Sequence, residues 1–172
     1  MNRKNIFALI IIAILLIGIG ISYVLYEEQQ VKIHLINANN YHTQVVQLNG
    51  VVKNDSLSDA INVRNNLQNP LLIKETSELQ LANTTFASPE QKQYINAAMI
   101  VNQDNIKLGG IATSMYNDLK NGNLASAASQ ISLVNTVYSD DMAQASVVKG
   151  IVTQNPNQFG FTIAEDNSTA TK

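Results

Sequence analysis

The sequence predicts an all-α protein in which one N-terminal transmembrane helix leads into an antiparallel bundle of three or four helices. Residues 6–26 form an apolar run without a single charge. Beyond that run, apolar residues recur at three- and four-residue steps, which is the period of a helix. Helix-breaking signals at 69–70, 88–89 and 121–122 separate these periodic segments. Each segment is therefore expected to be a helix with one buried face.

The composition excludes several classes of function. The chain has 172 residues, a formal charge of −2 and no cysteine. It therefore has no disulfides, thiolate catalysis, cysteine-bound metal or lipid-modified cysteine. There is no run of five basic residues, which disfavours nucleic acid as a partner. Neither the serine hydrolase, the zinc protease nor the nucleotide-loop motif occurs, so we predict a protein that is not an enzyme and needs no cofactor.

The apolar run at 6–26 is predicted to contact the lipid bilayer. At about 1.5 Å per residue it reaches about 31 Å, the thickness of a hydrocarbon core. Arg3 and Lys4 precede it, and Glu27 and Glu28 follow it. Because positive charge favours the cytoplasmic side, the N-terminus is expected inside and the C-terminal domain outside. The protein is thus predicted to be a single-pass protein of the cell membrane.

A cleaved signal peptide is the alternative interpretation of the same run. Signal peptides have a shorter apolar region and an Ala-x-Ala-like site, and the sequences ending at Gly20 and Ser22 imitate that site poorly. Retention as an anchor is therefore preferred. Gly18 and Ser22 also form a small-xxx-small pair, which can let two anchors pack closely. Such pairs are common by chance in apolar helices, so a homo-oligomer through the anchor is kept only as the alternative to a chance occurrence.

The predicted organisation is a short cytoplasmic N-terminus at 1–5, the anchor at 6–26, an extracytoplasmic bundle at 27–163 and a disordered tail at 164–172. The anchor is expected to continue outward as a stalk, because no proline or glycine occurs before Gly50. The stalk's apolar positions are Val31, Leu35, Ala38, Tyr41, Val45, Leu48 and Val52.

Residues 57–87 are predicted to be helical, but the pattern allows either one kinked helix or two helices. Pro70 is the reason for this ambiguity. Proline disfavours helix at the residue before it, yet it fits the first turn of a new helix.

The clearest prediction downstream of the anchor is a helical hairpin from Pro89 to about Val152. Ser88 and Gln91 have the spacing of a capping box, and Lys120–Gly122 ends the first helix. Asn123 is expected to cap the second helix, so the short turn makes the two helices antiparallel. The predicted inward stripes are Tyr94, Ala98, Val101, Leu108, Ala112, Met115 and Leu119 on the first helix, and Ala127, Ile131, Val134, Tyr138, Ala145, Val148 and Val152 on the second.

Three groups of titratable residues are candidate sites. Asp55 and Asp59 are four residues apart, but neither lies in a calcium-loop motif, and Asp55 is better explained as a turn or cap residue. His34 and His42 are eight residues apart on the stalk, whereas paired metal ligands on a helix are usually four apart and need a third ligand. We interpret them as ordinary polar residues of the stalk. Asp140 and Asp141 are interpreted as a solvated face, because neither lies in a calcium-loop motif.

The candidate site predicted from sequence is a small patch on the first hairpin helix. Gly109 and Gly110 each lower helix stability by about 1 kcal/mol relative to alanine, so two adjacent glycines inside a helix indicate a structural or functional role. With Ser114 they form either a hinge or a niche for a small ligand. Close helix packing is the plainer alternative.

The function predicted first is a membrane-anchored interaction or structural module of the cell envelope, working with a protein partner that the sequence does not identify. The alternative is a bundle that binds or senses a small ligand together with a partner membrane protein. An exposed apolar patch favours the first hypothesis. A pocket with converging polar groups favours the second.

Overall fold

The computed structural model describes residues 3–51 and 56–163, and the side chains of residues 3–10 and 51 are outside this description. Helix is the only regular secondary structure in these ranges, as the sequence predicts. The predicted disordered tail at 164–172 lies outside the described residues. The elements are α1 (Arg3–Val51), α2 (Leu57–Val63), a π-helical segment (Arg64–Gln68), α3 (Asn69–Ala82), α4 (Pro89–Lys120), α5 (Leu124–Gln154) and the short α6 (Pro156–Phe159).

Helix α1 has two parts with opposite surroundings. From Ile11 to Tyr26 every residue is exposed. The helix to which this part belongs is long and apolar enough, from Ile11 to Gly50, to span a membrane. Further along, Val31, Leu35 and Ala38 are buried, because α1 packs against α3. The helix continues from one part to the other without a break. The prediction of one apolar N-terminal helix that extends as a stalk is confirmed.

Residues 57–82 form one continuous helical stretch rather than two separate helices. Ser56 caps its start by accepting a hydrogen bond from the Asp59 N–H at 3.2 Å. The stretch widens into a π-helix where the Asn69 N–H bonds the carbonyl of Arg64, five residues earlier. Pro70, which follows, has no N–H to donate. The wider turn therefore lies where an α-helical ladder would be incomplete.

The capping box of α4 is present as predicted. The Gln91 N–H donates to Ser88 Oγ at 3.1 Å, and the Ser88 N–H donates to Gln91 Oε1 at 2.8 Å. At the other end, Gly122 has a φ of 76°, which only glycine adopts at little cost. Asn123 precedes α5, but its side chain makes no capping hydrogen bond, so that part of the prediction is wrong.

The inward face of α5 differs from the predicted stripe. Ala127 and Val152 are buried as expected, but Ile131 is 52% exposed and Tyr138 is 55% exposed. Val137, which was not on the predicted stripe, is buried instead. The reason is that the apolar residues of α5 cover more than one face, and α4 covers only one of them. The pattern alone does not say which face that is.

The main core lies near the anchor end of the helices. It joins α1, α3, α4, α5 and the C-terminal segment (residues 156–163). Its members include Leu35, Leu79, Ile95 and Val152. Phe159 is fully buried, and its ring lies 5.0 Å from the ring of Tyr94. The C-terminal segment therefore docks on the helices.

Candidate functional site

A cavity of about 410 Å³ lies between α1, α4, α5 and the C-terminal segment, with α3 contributing one residue. This volume is within the range of small-molecule sites. Val46, Ala98 and Val148 supply apolar wall, and the polar side chains include His42, Glu75 and Tyr94, from three different helices. The cavity therefore combines an apolar surface with converging polar groups.

Glu75 is the most unusual residue of the cavity. It lies on α3 and is only 2% exposed. Its Oε2 atom is buried and has no hydrogen-bond donor among the described residues. His42 Nδ1 lies 3.4 Å from Oε2, so a protonated His42 forms an ion pair with Glu75 without regular hydrogen-bond geometry. Lys149 also lines the cavity. A buried carboxylate in this state is costly, because lost hydration is only partly replaced.

Glu78, one turn further along α3, provides a contrast. Its Oε2 accepts a hydrogen bond from His34 Nδ1 at 2.7 Å and a longer one from Asn37 at 3.4 Å. Side chains of α1 therefore donate hydrogen bonds to Glu78 Oε2, whereas Glu75 Oε2 on the same helix receives none. The structure separates the two histidines that the sequence analysis considered together, since each meets its own glutamate.

The surroundings of the cavity raise the pKa values of both His42 and Tyr94, which favours their protonated forms. Burial lowers the pKa of His42, but the interaction with Glu75, helped by Asp141, outweighs it, so the pKa lies above its ordinary value of 6.5. Burial and the negative charge of Glu75 raise the pKa of Tyr94. Tyr94 therefore remains a neutral phenol, able to donate or accept a hydrogen bond.

The residues that line the cavity can hold a ligand through hydrogen bonds and apolar contacts. Glu75 offers a carboxylate oxygen in need of a donor, and the apolar wall fits hydrocarbon. Among residues 11–50 and 56–163, no three His, Asp or Glu side chains converge as a metal-binding set. Such a lining can accept a strong hydrogen-bond donor at Glu75 and an apolar group against the wall.

A second polar network lies further from the anchor, at the π-helical segment. Arg64 Nη2 donates to the backbone carbonyl of Asn105 and also to Asn105 Oδ1 at 3.1 Å. Asn105 Nδ2 in turn donates to Asp141 Oδ1 at 2.7 Å. Burial, followed by repulsion from Asp104, raises the pKa of Asp141. Asp140 is exposed as predicted, but Asp141 is a half-buried member of this network and not part of a solvated face.

The patch predicted from sequence is divided by the structure. Gly109 is buried, and a Cβ on it would lie 3.1 Å from Arg64 Nε. It lines a second cavity of about 260 Å³ together with Arg64 and Gln68. Gly110 has open space around it, and Ser114 is exposed and accepts a hydrogen bond from Gln130 at 3.2 Å. Close packing accounts for Gly109, and the niche or hinge stays a prediction.

Neither Glu75 nor Tyr94 is predicted as a site residue from the sequence. A signal for Glu75 was present, because it lies between Leu72 and Leu79 at helical steps, on the face that packs inward. A charged residue within an apolar stripe is informative, since a buried charge needs a partner. The identity of that partner depends on how α1 and α3 are rotated against each other.

No protein-family model, curated protein or solved structure matches this chain.

Proposed function

We propose that this protein is a membrane-tethered helical module that binds a small organic cation in the cavity around Glu75. The supporting observation is a carboxylate that is 2% exposed, has an oxygen without a donor and lines a cavity of about 410 Å³. An ammonium group placed there would supply the hydrogen bond that Oε2 lacks, and it would also supply a compensating charge whenever His42 is neutral. The apolar wall would contact the ligand's hydrocarbon part.

The ligand is expected to arrive from water and not from the bilayer. Asn39, at the cavity wall, lies 13 residues beyond Tyr26, which is about 20 Å along the helix axis. That distance exceeds the depth of an interfacial layer. A bilayer lipid would have to leave the membrane to reach Glu75, so a soluble amine is the better candidate.

The test is ligand-induced stabilisation of the full chain in detergent. A panel of primary and quaternary amines is compared with neutral and anionic analogues of the same shape, using the thermal midpoint as readout. A ligand at one hundred times its dissociation constant adds about 2.7 kcal/mol of stability. The midpoint should rise with amines only, and Glu75→Gln should abolish the rise.

Glu78→Gln is the matched control, since Glu78 is on the same helix but its carboxylate already has donors. It should bind amines as the natural chain does. Equal stabilisation of Glu75→Gln and the natural chain by amines would refute the proposal. So would stabilisation by anionic analogues alone.

A second candidate function, a protein-interaction module, is favoured by the outer face of α5. We give this name to Leu124, Ile131, Tyr138 and Met142, which are all exposed and follow one another at seven- and four-residue steps. Because the chain has no cysteine, single-cysteine variants allow site-specific crosslinking in membranes. Ile131→Cys should capture a defined protein, whereas the exposed control Ser129→Cys should not. Identical products from both would contradict this function.

We further propose that the cavity is outside the cytoplasm and that the anchor is retained. Arg3 and Lys4 before the apolar run support this orientation. Protease added to intact cells should digest a C-terminal tag, and protection of the tag would reverse the orientation. The intact mass of the membrane-extracted protein should include the N-terminal residues. A mass lacking about 20–25 residues would indicate a cleaved signal peptide.

A further inference from the structure

The loop between α3 and α4 is in contact with the apolar part of α1. The ring of Phe86, in this loop, lies 5.8 Å from the ring of Tyr23 in an edge-to-face arrangement. Tyr23 belongs to the exposed section of α1, outside the bundle core. The contact therefore fixes the height of the loop relative to the apolar run.

That height is the edge of the proposed membrane span. Tyr23 precedes Tyr26, the outer end of the run, by three residues, or about 4.5 Å along the axis. Because α1 continues into the bundle without interruption, no hinge separates the loop from this level. If α1 spans the bilayer, Phe86 lies at the boundary between headgroups and acyl chains, where aromatic rings are favoured.

The loop's chemistry fits this position. No charged residue occurs from Leu79 to Pro89. Leu81 is an exposed apolar side chain on the last turn of α3, and Phe86 is half-buried. Entry into the interface would therefore cover apolar surface without desolvating a charge.

We infer that the α3–α4 loop is a second membrane contact, in which Phe86 inserts beside Tyr23 and seats the bundle directly on the lipid surface. This inference rests on the proposed membrane span of α1, and the partner is the bilayer itself. The consequence is that the helices stand on the membrane in one orientation, with the cavity held above it.

The chain has no tryptophan, so single-tryptophan variants report position without background. Full-length Phe86→Trp is reconstituted into phosphatidylcholine vesicles with and without bromine on the lipid acyl chains. Blue-shifted emission and strong quenching by the brominated lipid are expected. Leu16→Trp, within the proposed span, sets the level for a buried reporter, and Ile131→Trp, on the outer face of α5, should show little quenching.

The outcomes separate this inference from the proposal on which it rests. Quenching of Leu16→Trp but not of Phe86→Trp would overturn the loop contact and leave the span intact. Absence of quenching in both would overturn the span and the loop contact together. If Phe86→Trp fails to fold, Leu81→Trp replaces it as the reporter of the loop contact, because the Leu81 side chain is exposed and a larger ring can be accommodated there. Leu81→Trp should be quenched more than Ile131→Trp, and equal quenching would refute the inference.

Discussion

Ile95 and Ile131 allow the same substitution to be compared at two sites with opposite surroundings. Ile95, on α4, is 0% exposed and belongs to the main core, whereas Ile131, on α5, is 52% exposed. The sequence pattern placed Ile131 on an inward stripe, and the structure turns it to solvent. Ile95→Ala and Ile131→Ala therefore test the rotation of α5 about its own axis.

The expected magnitudes differ widely. Truncating a fully buried isoleucine to alanine costs about 2–5 kcal/mol, from lost transfer energy and the cavity left behind. For a chain of this size each kcal/mol lowers the thermal midpoint by about 2–4 °C, so Ile95→Ala should lower it by about 4–20 °C. A surface substitution stays within about 0.5 kcal/mol, so Ile131→Ala should change the midpoint by about 2 °C at most.

The assay is a thermal melt of the full chain in detergent, followed by circular dichroism at 222 nm, the helix signal. Val137→Ala serves as a second buried position, on α5 itself, and should also lower the midpoint, though by less than Ile95→Ala because it removes two carbons instead of three. A loss of stability in Ile131→Ala as large as that in Ile95→Ala would show that the α5 face has been assigned wrongly. The arrangement of α5 against α4 would then need revision.

Three further predictions concern single contacts. Since the pKa of His42 is raised in the folded protein, its contribution to stability is complete below about pH 6.5 and is lost as the pH rises through the folded pKa. The thermal midpoint should therefore fall as the pH rises through this range, and His42→Gln should reduce that fall. An equal fall in His42→Gln and the natural chain would refute the pairing of His42 with Glu75. In urea titrations Gly110→Ala should gain up to about 1 kcal/mol, because it adds helix propensity in open space. Gly109→Ala should gain less or lose stability, because its Cβ meets Arg64, and equal gains would contradict that contact. Ser88→Ala removes the cap of α4 and should cost about 0.5–2 kcal/mol by the same measurement, while an unchanged midpoint would show that the cap is dispensable.

The sequence by itself determined the features that depend on neighbouring residues. The apolar run, the continuation of α1 as a stalk and the capping box at Ser88 follow from local composition and spacing, and the structure has all three. These features rest on helix geometry and on hydrogen bonds between residues a few positions apart. Nothing distant in the chain has to be known to predict them.

Tertiary structure decided the features that depend on how helices rotate against one another. A helical period says which residues share a face, but α5 has apolar residues on more than one face, and only packing against α4 selects Val137 over Ile131. In the same way, His42 meets Glu75 because α1 and α3 pack at one particular rotation. That rotation is set by the sum of many side-chain contacts across the core, so no local pattern contains it.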